Sequence, residues 1–487
     1  MSKPTVRAAA EPLEPKWHDR KRYLWPLGLI VPLFPFAGGA LAFVSGWNGF
    51  WFLGPILILG VIPLIDLLTG VDQSNPPDEL IESLENDRYY RWVTYLFLPL
   101  QYLALVWACW LWSSGSLTLS SAIGLATTVG IVAGVGINTA HELGHKRVNA
   151  ERWLAKVALA QSFYGHFYIE HNRGHHVRVA TPNDPASARL GESLYRFLPR
   201  TVIGSVRNAW RIEQPRFARR QQTHVSIRND VLNAWLMSAV LWIALLLIFG
   251  VGVLPFLLIQ AVVGIVLLEC VNYLEHYGLA RQREANGRWE RVLPSHSWNS
   301  NNIATNVLLY HLQRHSDHHA NPTRRYQSLR DVAAAPVLPT GYAGMIVLAA
   351  IPPLWFRVMD PKVLRHYRGD LGLANIDSRD RVRLTKKYAN ASSGQAHSPV
   401  TGQSPTRATR ATRATVEQSA TATVQPGRHA RYRCDSCGYT YSVATGAPRE
   451  GIHAGTLWAD VPSDWPCPDC GVREKVDFML VAAESTQ

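Results

Sequence analysis

Residues 117–146 read LTLSSAIGLATTVGIVAGVGINTAHELGHK. No charged side chain interrupts the stretch from Leu117 to Ala140. A helix of that length crosses the roughly 30 Å hydrocarbon core of a bilayer. The apolar run ends on His141, and His145 follows four residues later. If the helix continues, that spacing sets both imidazoles on one face, as chelation of a metal requires. The segment decides two things at once: a membrane-spanning helix, and a pair of nitrogen donors at its polar end.

Five more stretches have the length and composition of spans: Leu24 to Trp47, Phe50 to Gly70, Trp92 to Trp112, Leu232 to Gly250 and Leu254 to Tyr273. With Leu117 to Ala140 they pair into three hairpins, joined by WNG, SSGS and GVGV, too short to hold a domain and free of charge. Aromatic flanks such as Trp47, Trp51 and Trp112 suit the edges of a bilayer. The opposite side carries Arg20, Lys21 and Arg22, the acidic loop DELIESLENDR and everything after Ala140. Its excess of Lys and Arg assigns it to the cytoplasm, with both termini, in a multi-pass protein of the inner (cytoplasmic) membrane. The start of the chain lacks the pattern of a cleaved signal, so Leu24 begins a retained anchor.

Lys and Arg outnumber Asp and Glu by 49 to 36, a formal charge of +13. Such a balance fits nucleic acid or an anionic membrane face, and the apolar runs choose the bilayer and exclude nucleic acid. A further apolar stretch, Val332 to Val358, is interrupted by Pro336, Pro339, Pro352 and Pro353 and reads as an interfacial or re-entrant segment. Residues 378–427 are small, polar and basic with an Ala-Thr-Arg repeat, the composition of a flexible tether.

Histidines gather on the cytoplasmic side in three clusters and one single residue. HELGHK holds His141 and His145. EHNRGHHVRVATPNDPASAR holds His171, His175 and His176. LQRHSDHHA holds His315, His318 and His319, and NYLEHYGL holds His276 at the inner end of the sixth span. Nine imidazoles exceed what one ion can use, whereas two ions with four or five each would absorb them and leave room for oxygen. Imidazole alone does not choose among zinc, copper, iron and nickel. Glu142, Glu170, Asp184, Glu275 and Asp317 lie beside these histidines and are candidates to orient their rings. His311 is a further candidate donor, and Glu269 and Asn272 share the helical face of His276. A carboxyl at the depth of Glu269 is costly, so a functional contact is expected there. His166 is left open, and His18, His224, His296, His366, His397, His429 and His453 read as solvated or structural.

Near the C-terminus, Cys434 and Cys437 pair with Cys467 and Cys470, a Cys-x-x-Cys arrangement able to hold zinc or iron. Tyr432, Tyr439, Tyr441, Trp458, Trp465 and Phe478 would form the core of so small a unit. The other two cysteines, Cys109 and Cys270, sit alone in apolar runs and read as buried hydrophobes.

Residues 432–479, with CDSCGY and WPCPDCG, resemble a rubredoxin, which implies one iron on the four cysteines and one-electron transfer. Residues from about 20 to 370 resemble the membrane-bound alkane monooxygenases of the AlkB family, on HELGHK, EHNRGHHVRVATPNDPASAR, NYLEHYGL and LQRHSDHHA in that order. Fatty-acid desaturases and aromatic-methyl hydroxylases, the alternative reading, share a looser histidine pattern. The expected fold is therefore an all-α integral membrane protein, a six-helix bundle with a cytoplasmic histidine-rich helical cap and a small rubredoxin-type domain. The expected boundaries are 1–23 for the N-terminal segment, 24–377 for the membrane domain, 378–427 for the linker and 428–487 for the rubredoxin. The resemblance implies that the nine histidines hold two irons. It also implies O2 as co-substrate, a medium-chain alkane as substrate and an NAD(P)H-dependent flavoprotein reductase as partner. A tunnel in the bundle would collect the alkane, and Gly124, Gly130, Gly134 and Gly136 either give it room or pack helices closely.

Overall fold

The computed structural model describes residues 17–219, 221–393, 430–435, 437–463, 465–471 and 473–481. Among them, six helices are long and apolar enough to cross a membrane: Trp25–Ser45, Asn48–Thr69, Arg88–Ser113, Leu119–Gly144, Asp230–Phe249 and Val251–His276. The chain is a multi-pass membrane protein of predominantly helical fold. Span ends follow the local chemistry. The side chains of Asp87, Thr118 and Asn229 cap the third, fourth and fifth spans by accepting backbone N–H groups. Gly46, with φ of 73°, closes the first in the left-handed conformation.

The fourth span is the axis of the bundle, buried from Gly124 through Gly144 apart from Thr127. Its glycines pack rather than open space. A Cβ added at Gly124 would meet Phe52 at 2.8 Å, at Gly130 Val263 at 2.5 Å, at Gly134 Leu267 at 2.7 Å and at Gly136 Gln101 at 2.5 Å. Gly264 of the sixth span lies as close to Ala133 and Gly134 in return. This small-residue seam lets the fourth and sixth helices approach backbone to backbone. His141 and His276, at their ends, arrive on the same side of the bundle.

The proline-interrupted segment forms two helices, Tyr342–Ala349 and Pro352–His366, both too short to span. Tyr342, Met345, Trp355 and Met359 pack with Tyr273 and Tyr277 at the end of the sixth span. Residues 381–393 are helical, and Leu384 is buried in that same cluster while Arg196 pairs with Asp377 and Asp380. Ordered chain thus continues beyond Asp377, because a single apolar side chain and three charges anchor a segment that composition alone reads as tether. Residues 394–427 of that tether lie outside the described residues, as do His397 and His429.

The C-terminal unit is a three-stranded antiparallel sheet in the order β2-β1-β3, with β1 Arg431–Cys434, β2 Thr440–Ser442 and β3 Phe478–Val481. Tyr432 faces Tyr441 across one pair, and Cys434 faces Phe478 across the other. Tyr432 stacks on Trp458 at 4.2 Å, and Tyr441, Trp465 and Phe478 pack with Val443, Ile452 and Val461 to complete the core.

Candidate metal centre and its electron-donor domain

The nine clustered histidines converge as two groups. His141, His145, His171, His176 and His318 form one, and His175, His276, His315 and His319 the other; within each, one nitrogen per ring lies within 4.8 Å of every other. All nine are buried. Local helix geometry does the sorting. His141 and His145 sit four apart at the end of the fourth span and serve one group together. His315 and His319, also four apart on the short helix His315–Ala320, serve the second, while His318 turns to the first. A π-helical turn at His171–His175 directs His171 and His176 to the first group and His175 to the second.

The donor atoms face one another across the centre of each group. Nε2–Nε2 distances are 2.9 Å for His141–His318 and 3.1 Å for His176–His171, His318–His176 and His276–His315. His319 and His315 are 3.0 Å apart, and the buried Nε2 atoms of His145 and His175 have no hydrogen-bond partner. A metal–nitrogen bond of about 2.1 Å sets ligands at right angles about 3.0 Å apart, so these spacings suit a shared cation. Burial holds His145, His171, His176, His315, His318 and His319 well below the ordinary imidazole pKa. They are therefore neutral, the form that binds metal.

Of the neighbouring carboxylates, Asp184 holds a ring. Its Oδ2 accepts from His175 Nδ1 at 2.9 Å and from the Ser187 hydroxyl at 2.6 Å. Burial pushes the Asp184 carboxyl up, and the His175 ring and the Ser187 hydroxyl hold it below the ordinary carboxylate value. Glu275 Oε2 lies 3.2 Å from His315 Nε2, beside the four-histidine group. The other candidates look elsewhere. Glu142 pairs with Lys146 at 3.0 Å, and Asp317 with Arg324 at 2.7 Å. Glu170 lies 3.6 Å from Arg178, and burial raises its carboxyl to about 7. Glu269 accepts from Tyr164, Thr201 and Asn272 at 2.7, 2.8 and 3.1 Å, a bracing knot beneath the site. His311 does not reach the ligand rings, because Lys21 and the Tyr326 carbonyl claim its two nitrogens at 2.7 and 2.8 Å. His296, expected to be structural, is buried, and its carbonyl accepts from His276 Nδ1 at 3.0 Å. A backbone acceptor carries no sequence signature.

An apolar cavity of about 40 Å³ lies beneath the histidines. Ile58, Ile62, Gly134, Val271, Ala343 and Ile346 are among its walls, with Asn138, one helical turn before His141, and Leu312, three residues before His315.

The four cysteines form a third group of the same kind, all buried, with Sγ–Sγ distances of 3.8 Å for Cys434–Cys470 and 3.5 Å for Cys437–Cys467. Tetrahedral thiolates about 2.3 Å from a metal stand about 3.8 Å apart, so the set fits one ion. The domain rests on the histidine-bearing end of the bundle. Arg152 and Arg147 meet Asp469 at 3.0 and 3.6 Å, Arg173 meets Glu450 at 3.3 Å, and Arg449 meets Asp230 at 3.2 Å. Arg288 pairs with Glu474, and Arg291 with Asp477. At the centre, a Cβ on Gly471 would meet the Asn172 carbonyl at 2.5 Å and His176 Cβ at 3.7 Å. The residue after Cys470 thus packs on the backbone between His171 and His176, too closely for a side chain. The surplus of arginine beside the histidines and the acids around the Cys pairs were the only sequence signals of this contact.

Comparison with known proteins agrees with this division. Residues 116–349 match the fatty acid desaturase family and residues 431–478 the rubredoxin family. An alkane 1-monooxygenase of Pseudomonas putida is 47% identical over 377 residues, covering 77% of this chain and 94% of that protein. An alkane 1-monooxygenase of Acinetobacter baylyi is 47% identical over 378 residues, covering 76% and 91%. The hydroxylase component of a xylene/toluene monooxygenase of Pseudomonas putida is 28% identical over 260 residues, covering 51% and 65%.

Proposed function

The chain belongs to the alkane 1-monooxygenase family, and from that premise we propose that it hydroxylates medium-chain n-alkanes at the terminal carbon with O2, using electrons from its own rubredoxin domain. The observation that carries this reading is the pair of buried histidine groups beneath a four-cysteine site on the same chain, whose Gly471 packs on the Asn172 backbone between His171 and His175.

In this reading His141, His145, His171, His176 and His318 hold one iron, and His175, His276, His315 and His319 the other. Cys434, Cys437, Cys467 and Cys470 hold a third. Iron held by these histidines would supply reductive activation of dioxygen, a chemistry no side chain of the protein possesses. Asp184 and the His296 carbonyl fix the tautomers of His175 and His276 so that Nε2 faces inward. The apolar wall from Ile58 to Ile346 gives an alkane its only recognition, since each buried methylene contributes about 0.8 kcal/mol. The cavity has room for the tip of a chain and not its length, which favours presenting a terminal carbon. The rest of the substrate enters by parting Ile62, Val271 and Ile346. Arg147, Arg152, Arg288 and Arg291 hold the rubredoxin over His176, and it is reduced twice per turnover by a nicotinamide-dependent flavoprotein. Its side of the membrane is the cytoplasm, by the charge asymmetry. The working division is membrane domain from residue 24, tether through 427 and rubredoxin from 428, with the tether's leading residues helical and packed on the bundle.

The test is aerobic turnover of octane by the detergent-purified chain with a reductase and NADH. Formation of 1-octanol supports the assignment. Conversion of a fatty-acyl or aromatic-methyl substrate in its place would move the chain to the desaturase-like alternative.

A further inference from the structure

A second cavity, about 570 Å³, opens beside the seam between the membrane domain and the rubredoxin, away from the histidines. Arg152, Lys156, Arg216 and Arg228 of the membrane domain and Arg449 of the rubredoxin line it, against a single carboxylate, Asp230. That carboxylate is already shared among Lys156 at 2.7 Å, Arg449 at 3.2 Å, Arg216 at 3.5 Å and Arg173 at 3.9 Å. Counting the acids that pair with the same cations, Glu213, Asp469 and Glu450, still leaves cations in excess. One cationic group is unspent and another is only partly satisfied. Arg216 is only 4% exposed, and its Nε is buried without a hydrogen-bond partner. Arg228 is exposed, with no partner for its guanidinium among the described residues.

The cavity also sits at the polar end of the fifth span. Asp230 and Asn233 on its wall belong to the first turn of the fifth span, and Trp153 and Ile227 on its rim are 50% and 66% exposed. An exposed tryptophan and isoleucine next to the first turn of a span, beside an unpaired arginine and a surplus of cations, are the chemistry of a lipid headgroup boundary. We propose that this cavity binds the phosphate of an anionic phospholipid, which then braces the docked rubredoxin through Arg449. A zwitterionic headgroup would bring its own ammonium into the cationic wall, so an anionic lipid is preferred. Electron delivery thereby becomes sensitive to the charge of the surrounding leaflet. This rests on the reading that the docked domain is the electron donor.

The full chain is reconstituted in nanodiscs of phosphatidylcholine alone, of phosphatidylcholine with phosphatidylglycerol, and of phosphatidylcholine with millimolar inorganic phosphate. Two quantities are followed: phospholipid retained on native mass spectrometry, and the rate at which reduced rubredoxin is reoxidised in a single turnover. The expected result is retention of phosphatidylglycerol and faster reoxidation in its presence. Arg228→Gln should bind that lipid about fivefold more weakly, the contribution of one cation near a charged surface, with its phosphatidylcholine rate unchanged. Equal rates in both lipids, or an Arg228→Gln chain that responds to phosphatidylglycerol as the parent does, overturns the proposal. So does inorganic phosphate reproducing the whole effect. If octane is not hydroxylated at all, the retention measurement still reports on the lipid site separately.

Discussion

Replacing Arg288 and Arg291 together by glutamate perturbs the electron-donor interface without touching a metal ligand. Each arginine pairs across the domain boundary, Arg288 with Glu474 and Arg291 with Asp477, and Arg291 also lies 3.9 Å from Asp435. The arginine side chains are 46% and 57% exposed, so solvent screens them and each pair contributes about 0.2–1 kcal/mol. Reversal loses two such pairs and adds repulsion of similar size, about 1–2 kcal/mol in all. That corresponds to roughly a 5–30-fold fall in the docking equilibrium constant, the upper limit on the fall in rate. The assay is stopped-flow reoxidation of the pre-reduced four-cysteine iron under oxygen and octane, at two ionic strengths. The variant should reoxidise more slowly by up to that factor, and the parent should lose its advantage as salt rises within a Debye length of about 10 Å. Adding Glu474→Arg and Asp477→Arg should restore the rate. An unchanged rate in the first variant, or no recovery in the second, would refute the interface as the working one.

Asp184→Ala frees His175 Nδ1 and should weaken iron in the four-histidine group about 10–100-fold, seen as faster loss to a chelator, with the cysteine-bound iron as an unaffected internal control. Ala343→Phe fills the apolar cavity and should shift preference toward shorter alkanes. Each excluded methylene costs about 0.8 kcal/mol, roughly fourfold in kcat/KM, and an unaltered chain-length profile counts against the cavity as substrate site. Gly130→Val forces the fourth and sixth spans apart at Val263 and should lower thermal stability by about 1–3 kcal/mol. Cleaving the tether at a protease site inserted among residues 394–427 should lower turnover at submicromolar protein. Excess free rubredoxin domain should restore it, because the tether supplies an effective concentration in the millimolar range.

The features repeated along the chain were legible before any coordinates. Length and apolar composition marked all six spans, interrupted only by Asp66 in the second and Glu269 in the sixth, because a bilayer leaves no other way to satisfy an apolar backbone segment. The observed helices differ from the expected bounds mainly in continuing into the polar ends, as with Arg88 and His276. The nine histidines were legible by their spacing. Their division into five and four was not, because it depends on a π turn and on which way His175 and His176 face. Carboxylates beside histidines in sequence proved a weak guide: Glu142 and Asp317 are spent on Lys146 and Arg324. Proximity along the chain says nothing about competing cations brought in from other segments. The glycines of the fourth span admitted two readings, and the packing at Val263 and Leu267 favours close helix approach, with Gly134 also lining the cavity.

The central claim is that the two histidine groups hold iron alongside the cysteine site. Mössbauer spectroscopy of chain purified after growth on iron-57 tests it directly. The account predicts nitrogen-ligated and sulfur-ligated iron in a two-to-one ratio, with the nitrogen-ligated signal changing when oxygen is admitted to the reduced protein. A spectrum containing only the sulfur-ligated species, with zinc recovered from the histidines, would contradict it.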